Sequence, residues 1–137
     1  MKNIHKLAAI DIGSNAVRLL ITSIRINKSE TKFKKISLVR VPLRLGEDVF
    51  SKGKISDKKL KKLQKTLKAF KILMQMHEVY MFKAVATSAM REAENSTKII
   101  EDIFKKLNIK IDLISGKKEA LMIANVFLNS MENLTNN

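Results

Sequence analysis

Apolar and polar positions alternate between two rhythms along this chain. Residues Leu7 to Ile12 form a short run of small and branched apolar side chains, the pattern of a buried strand, ending at Asp11-Ile12-Gly13-Ser14-Asn15. A second run, Val17 to Ile26, is broken by Arg18 and Arg25, and Asn27 to Thr31 is a polar turn cluster. Phe33 to Leu43 makes a third strand-like run with Pro42 near its end, where proline suits a strand terminus or an edge. Three strands joined by short turns predict an antiparallel meander.

After a loop over Arg44 to Ile55 the rhythm changes. Leu60, Leu63, Leu67, Phe70 and Leu73 or Met74 recur at steps of three and four, the apolar stripe of an amphipathic helix that Ser56 or Asp57 can cap. Val79 to Ala86 is another short buried strand. Ile99, Ile100, Ile103, Phe104 and Leu107 mark a second helix, capped by Asn95 or Ser96. Ile109 to Ile114 alternates as a strand, and Ser115-Gly116 opens a third helix running to about Ser130. The expected order is β-β-β-α-β-α-β-α. Strand and helix alternate in its second half, which implies parallel pairing through crossovers and an α/β fold with a mixed five-stranded sheet. One domain over 1–130 and a polar tail over 131–137 account for the whole length. There is no internal repeat and no low-complexity block.

Composition narrows the function. No cysteine is present, so disulfides, thiolate metal sites and cysteine nucleophiles are excluded, and a cytosolic setting fits. No apolar run approaches the ~18 residues needed to span a bilayer. His5 and His77 have no companions at metal-ligand spacing, and Met74, Met76, Met81 and Met90 suit core filling. The formal net charge is +14, which favours polyanionic partners; a lysine-rich surface without a specific site accounts for it equally well. Lysines concentrate at 54, 58, 59, 61, 62, 65, 68 and 71. Aromatics make up 5% of the chain, with no Trp and one Tyr, which argues against single-strand recognition by base stacking.

Three segments carry candidate chemistry. In the first, a glycine turn between strands lets backbone N–H groups approach an anion; Ser14 and Asn15 add donors, and Asp11 can hold Mg²⁺ or a water beside a phosphate. The second, Ala86 to Asn95, follows a strand, where open α/β sheets bind ligands. Its Thr87 and Ser88 offer hydroxyls, and Arg91 offers a planar fork for phosphate oxygens. The third, Ile114 to Ala120, places Glu119 in the first turn of a helix, within reach of general-base work on a water. Taken singly, each segment also fits an ordinary role: a hairpin turn, a capped strand-to-helix loop, an acid complementing a helix dipole.

Taken together, AAIDIGSNAVRLLI (8–21), LRLGEDVFSKGKIS (43–56), AVATSAMREAEN (84–95) and LISGKKEA (113–120) resemble the exopolyphosphatase and guanosine pentaphosphate phosphohydrolase family of the actin-like ATPase superfamily. The resemblance implies a ribonuclease-H-like lobe and Mg²⁺-dependent release of terminal phosphate from polyphosphate or guanosine pentaphosphate. It implies that Asp11, Gly13, Ser14 and Asn15 form the first phosphate loop, that Arg91 contacts phosphate, and that Glu119 is the catalytic base. Lys118 departs from the family's S-G-x-E-E-A pattern, where a first Glu is usual. The family pattern continues with a second loop, D-x-G-G-G-S, and a second lobe that closes the cleft. The lobe alone is therefore expected to be inactive, with the C-terminal lobe of the same protein as its partner and a dimer as a possible full-length form. The alternative is a phosphate-binding or regulatory module without catalysis.

Overall fold

The computed structural model describes residues 4–27 and 30–115. Strands β1 (Ile4–Ile12), β2 (Val17–Ile26) and β3 (Thr31–Val41) lead into helices α1 (Leu45–Lys52) and α2 (Asp57–Met76). Strand β4 (Met81–Ala86), helices α3 (Ser88–Glu92) and α4 (Ser96–Leu107), and strand β5 (Ile111–Leu113) follow. The five strands form one sheet in the order β3-β2-β1-β4-β5. The β1–β2 and β2–β3 pairs are antiparallel, as the meander predicts, and β1–β4 and β4–β5 are parallel, as the crossovers require. The expected helix after β5 and the polar tail lie outside the described residues.

Side-chain alternation in β1 sends Ala8, Ile10 and Ile12 to one face, where they join Val17, Leu19 and Ile21 of β2. Helix α2 covers that face with Leu63, Leu67, Phe70 and Met74, and α4 adds Ile99 and Ile103. Complete burial of Leu63, Leu67 and Phe70 stabilises the fold by ~1.5–3 kcal/mol each. The opposite face carries a smaller cluster of Leu7, Ala9 and Ile24. Asp11 follows Leu7 and Ala9 on that second face, at the strand end.

Two short helices replace expected loops. Residues 45–52, within the loop expected over Arg44 to Ile55, form α1: Leu45 and Val49 are buried and Glu47 and Asp48 complement the N-terminus of its dipole. Residues 88–92 close a single turn, α3, because Ala89 and Met90 enter the core. Strand β5 is shorter than the run Ile109 to Ile114 suggests, although Ile109, Ile111 and Ile114 are all buried.

The caps divide unevenly. The Ser56 hydroxyl accepts from the Lys59 backbone N–H at 3.3 Å, as a helix N-cap should. Asn95 occupies the N-cap position of α4, but its amide points elsewhere: Oδ1 accepts from the Ile55 N–H at 3.1 Å, and Nδ2 donates to the Ile55 carbonyl at 3.0 Å. This bracket ties the approach to α2 to the start of α4, across 40 residues of sequence.

Helix α2 is also electrostatically opposed to itself. Lys58, Lys61, Lys62, Lys65 and Lys68 fall three or four residues apart, and each such like-charge pair costs ~0.2–0.5 kcal/mol. The lysines crowd the N-terminal part of the helix, where the dipole disfavours cations, and the last turn holds none.

Two expected outcomes follow from the α1 contacts. The Asp48 carboxylate accepts the Ser56 backbone N–H at 3.0 Å and lies 3.2 Å from the Lys59 ammonium. Hydrogen bonds from Ser56, with Lys59 beside them, hold its pKa at about 2, against an ordinary 3.8. The folded state therefore favours the ionised form. The stabilisation is complete above the unfolded value and fades as pH falls from about 3.8 towards about 2. Asp48→Asn should lower the melting temperature at neutral pH and flatten its pH dependence in that window. An unchanged acid limb would show that the contact does not persist in solution. Gly46 is the second case: a Cβ there would meet Ser14 Cβ at 3.1 Å and the Phe50 ring at 3.0 Å. Phe50 is exposed and can swing aside; the Ser14 backbone cannot. Gly46→Ala should leave global stability near the parent, because alanine favours the helix, yet speed amide exchange at residues 44 and 46 by about tenfold. Unaltered exchange would mean that the turn absorbs the methyl group without loss.

Candidate active site

Strand pairing builds the site. With Ile12 opposite Val17, the four residues between them form the turn of a hairpin, closed by the Gly13 N–H donating to the Ala16 carbonyl at 3.0 Å. A Cβ on Gly13 would stand 3.0 Å from that same oxygen, so the turn takes glycine for space. The register then sets Asp11 directly opposite Arg18, and Arg18 opposite Arg40 on β3. One carboxylate and two guanidinium groups form a row across three strands.

Asp11 is only 4% exposed, an expensive place for a charge without a partner. Arg18 supplies one: its Nε donates to Oδ2 at 2.9 Å, and its Nη2 is ion-paired to the same oxygen. The other oxygen, Oδ1, is fully buried and accepts no hydrogen bond among the described residues. Side by side, Arg18 and Arg40 repel, and Asp11 offsets one of the two charges, so the row keeps a net positive charge.

A cavity of about 280 Å³ opens here, lined by Asp11, Gly13, Ser14, Asn15, Ala16, Arg18, Arg40 and Thr87. Five of the residues singled out from the sequence, Asp11, Gly13, Ser14, Asn15 and Thr87, thus converge on one space. Ser88 reaches its wall through Ser14, the two hydroxyls standing 2.9 Å apart across 74 residues of sequence. The turn is also held from behind: Gly46 N–H donates to the Ser14 carbonyl and Arg44 N–H to the Asn15 carbonyl, both at 2.9 Å. With these carbonyls occupied by α1, the turn presents its remaining groups to the cavity.

Arg91 is exposed and does not line the cavity. Its Nη1 donates to the Ile114 carbonyl at 3.0 Å, which fastens α3 to the end of β5 and leaves the rest of the fork outward. The backbone repeats the link, Ile114 N–H donating to the Ala86 carbonyl at 2.9 Å. Glu119 lies outside the described residues, five positions beyond that anchor. Among the described residues no three His, Asp or Glu side chains cluster as a metal cage, and no helix is long and apolar enough to cross a membrane.

Sequence reasoning missed Arg18, Arg40 and the bracing role of 44–46. Arg18 was within reach: once the turn is placed at 13–16, residue 11 must face residue 18. Arg40 depends on the β2–β3 register, which shifts between Ile21 and Thr22, and no sequence signal fixes that shift.

Residues 24–135 match the Ppx/GppA phosphatase family. The chain is 33% identical over 122 residues to a bifunctional 3-dehydroquinate synthase/phosphatase of Fusobacterium nucleatum, covering 87% of the chain and 18% of that protein. It is 30% identical over 115 residues to exopolyphosphatase 1 of Mycobacterium tuberculosis, covering 84% and 33%. Among solved structures, the Ppx/GppA family member of Aquifex aeolicus superposes with a TM-score of 0.77 at 30% identity, covering 85% of this chain and 37% of that one. An exopolyphosphatase from Cytophaga hutchinsonii gives 0.73 at 30% identity, with 85% and 36% covered. The neighbours are proteins of the actin-like ATPase fold, which agrees with the mixed sheet expected from the sequence. The chain spans about a third or less of the length of these relatives. With four motifs in register, a family match over most of its length and a shared fold, the chain belongs to the Ppx/GppA phosphatase family.

Proposed function

We propose that this chain is the N-terminal lobe of a phosphoanhydride hydrolase. It grips the end of a phosphate chain so that water can displace the terminal phosphate. The observation that carries the reading is Asp11 Oδ1, a buried carboxylate oxygen without a hydrogen bond among the described residues, in a cavity rimmed by a glycine turn, hydroxyls and two arginines. A buried, unsatisfied acceptor costs ~1–3 kcal/mol or more when charged, which a cation or a bound water's proton would recover. Mg²⁺ suits the donor: it takes oxygen ligands, uses one or two carboxylates, and completes its shell with water and substrate phosphate. Asp11 would hold it, and when bound it would neutralise charge on the phosphate oxygens.

The remaining work falls to the chain. Ser14 and Asn15 donate to phosphate oxygens, Gly13 giving the turn its room, with Thr87 and Ser88 closing the opposite wall. Arg18 orients the Asp11 side chain by charge pairing. Arg91 presents its outward N–H groups to developing negative charge, while its bond to Ile114 keeps the strand end in place. Glu119 takes the proton of the attacking water as the P–O bond forms and the shortened chain departs. Relatives named exopolyphosphatases favour inorganic polyphosphate as substrate, with guanosine pentaphosphate offering the same terminal anhydride. The C-terminal lobe of the same protein would complete the cleft, and the setting is the cytosol.

Two variants of the full-length protein test this. Glu119→Gln should lower kcat by ~10²–10⁴-fold with little change in KM, the range of general-base catalysis. Normal turnover would remove Glu119 from the mechanism. Asp11→Asn should abolish the rise in melting temperature that Mg²⁺ with inorganic phosphate gives the parent. A Mg²⁺ response equal to the parent's would show that the ion, if used, is held elsewhere.

A further inference from the structure

A basic groove lies away from the Asp11 cavity, on the helical layer. Lys61, Gln64, Lys65 and Lys68 of α2 and Lys106 and Leu107 of α4 line a groove of about 270 Å³. The floor is apolar, made by the lysine stems and Leu107, and the ammonium groups form its rim. On α2 the lysines at 61, 65 and 68 follow one another along about 10 Å of helix axis.

Three observations separate this groove from an ordinary solvated face. First, α2 has no acid after Asp57, so its lysines find no acid on their own helix beyond its first residue, and among the described residues the four rim ammonium groups have no hydrogen bond or ion pair. On α4 the acids Glu101 and Asp102 precede Lys105 and Lys106 by one turn, without pairing to any of the four. Second, neighbouring lysines outside the rim are engaged: Lys59 with Asp48 and Glu47, and Lys71 with the Leu107 carbonyl at 2.6 Å. Third, Lys61, Lys65 and Lys68 stand four and three residues apart along α2, in repelling register, which costs the isolated helix stability. An anion laid along the groove relieves that repulsion.

We infer that this groove binds a linear inorganic polyphosphate, holding the chain while its end is processed at the Asp11 cavity; the inference rests on the phosphoanhydride reading above. A polyphosphate presents charge on every unit and has no base to stack. The groove matches that: four cations, an apolar floor of stems, and no aromatic side chain in its lining. A single-stranded nucleic acid would leave its bases without a platform.

The test uses full-length protein and long-chain polyphosphate, with binding measured in EDTA so that turnover does not consume the probe. In the K61E/K65E/K68E/K106E variant the dissociation constant should rise by about thirtyfold or more. The slope of log affinity against log salt should fall by about 3, for four lost contacts at ~0.7 each. Turnover of tripolyphosphate, with three phosphate units against the groove's four cations, should stay at the parent rate. Asp11→Asn should do the reverse, losing tripolyphosphate turnover while long-chain affinity holds within about threefold. If the parent fails to hydrolyse tripolyphosphate, the Asp11 reading falls, and the groove is still judged by its long-chain affinity. The neutral K61Q/K65Q/K68Q/K106Q variant guards against misfolding: it should melt higher than the parent, with repulsion removed, and bind long chains as weakly as the glutamate variant. Long-chain affinity and salt slope equal to the parent's in both variants would overturn the proposal. So would a polyuridylate of matched charge that competes as strongly as polyphosphate, since the groove would then serve nucleic acid.

Discussion

A carboxylate 4% exposed at the end of a central strand is the constraint around which the rest of this structure is arranged. Asp11 cannot be left alone there, because an isolated buried charge is far costlier than any contact it replaces. Arg18 meets it by strand register, and register is set by the hairpin turn at 13–16. A turn one residue longer or shorter would send Arg18 to the other face and strand the carboxylate. The pairing is also incomplete. Arg18 addresses Oδ2 and leaves Oδ1 turned into the cavity wall. A purely structural ion pair gains by satisfying both oxygens; this one leaves a fully buried acceptor without a hydrogen bond among the described residues.

The turn cannot hold its shape unaided, since its carbonyls would otherwise compete for the donors a ligand needs. Helix α1 removes that competition by engaging the Ser14 and Asn15 carbonyls with its first N–H groups, and Gly46 is the residue small enough for the approach. From the other side Ser88 meets Ser14, and the Asn95 bracket fastens α4 to the segment leading into α2. Four stretches distant in sequence are thereby locked to one another by hydrogen bonds as well as by the apolar packing of Leu45, Ile55, Ala89 and Met90. Such bonds fix direction where packing fixes only proximity, and a phosphate site needs direction.

Much of this was legible without coordinates, and the limits are physical. Strands β1 to β4 and helices α2 and α4 show in the chain because burial on one face imposes a period, and the period survives any uncertainty in the ends. Helices α1 and α3 do not show because each is too short to display a stripe; Leu45, Val49, Ala89 and Met90 are buried by tertiary contact, not by repetition. Of the site, Asp11, Gly13, Ser14, Asn15 and Thr87 could be named, since strand ends and glycine turns mark where such residues collect. Their convergence could be inferred only in outline, and Arg40 not at all, because the slip between Ile21 and Thr22 decides which β3 residue faces Arg18. Asn95 shows the converse: the cap position was right, but the amide's work is tertiary.

The net charge of +14 resolves, on the structure, into separate parts with separate causes. On β3, the sheet edge, Lys32, Lys34, Lys35 and Arg40 flank exposed Phe33, Ile36 and Leu38. Charges so placed discourage another strand from adding to an unpaired edge, a role that needs no ligand. Arg18 and Arg40 belong to the cavity, where Asp11 balances one of the two. The lysines of α2 fit neither account. They guard no edge, among the described residues they pair with no acid beyond α1, and they weaken the helix that bears them. That helix tolerates them because its other side is a continuous apolar stripe, Leu63, Leu67, Phe70 and Met74, whose burial outweighs several like-charge pairs. A surface held together against its own repulsion is one whose charge is available to something else.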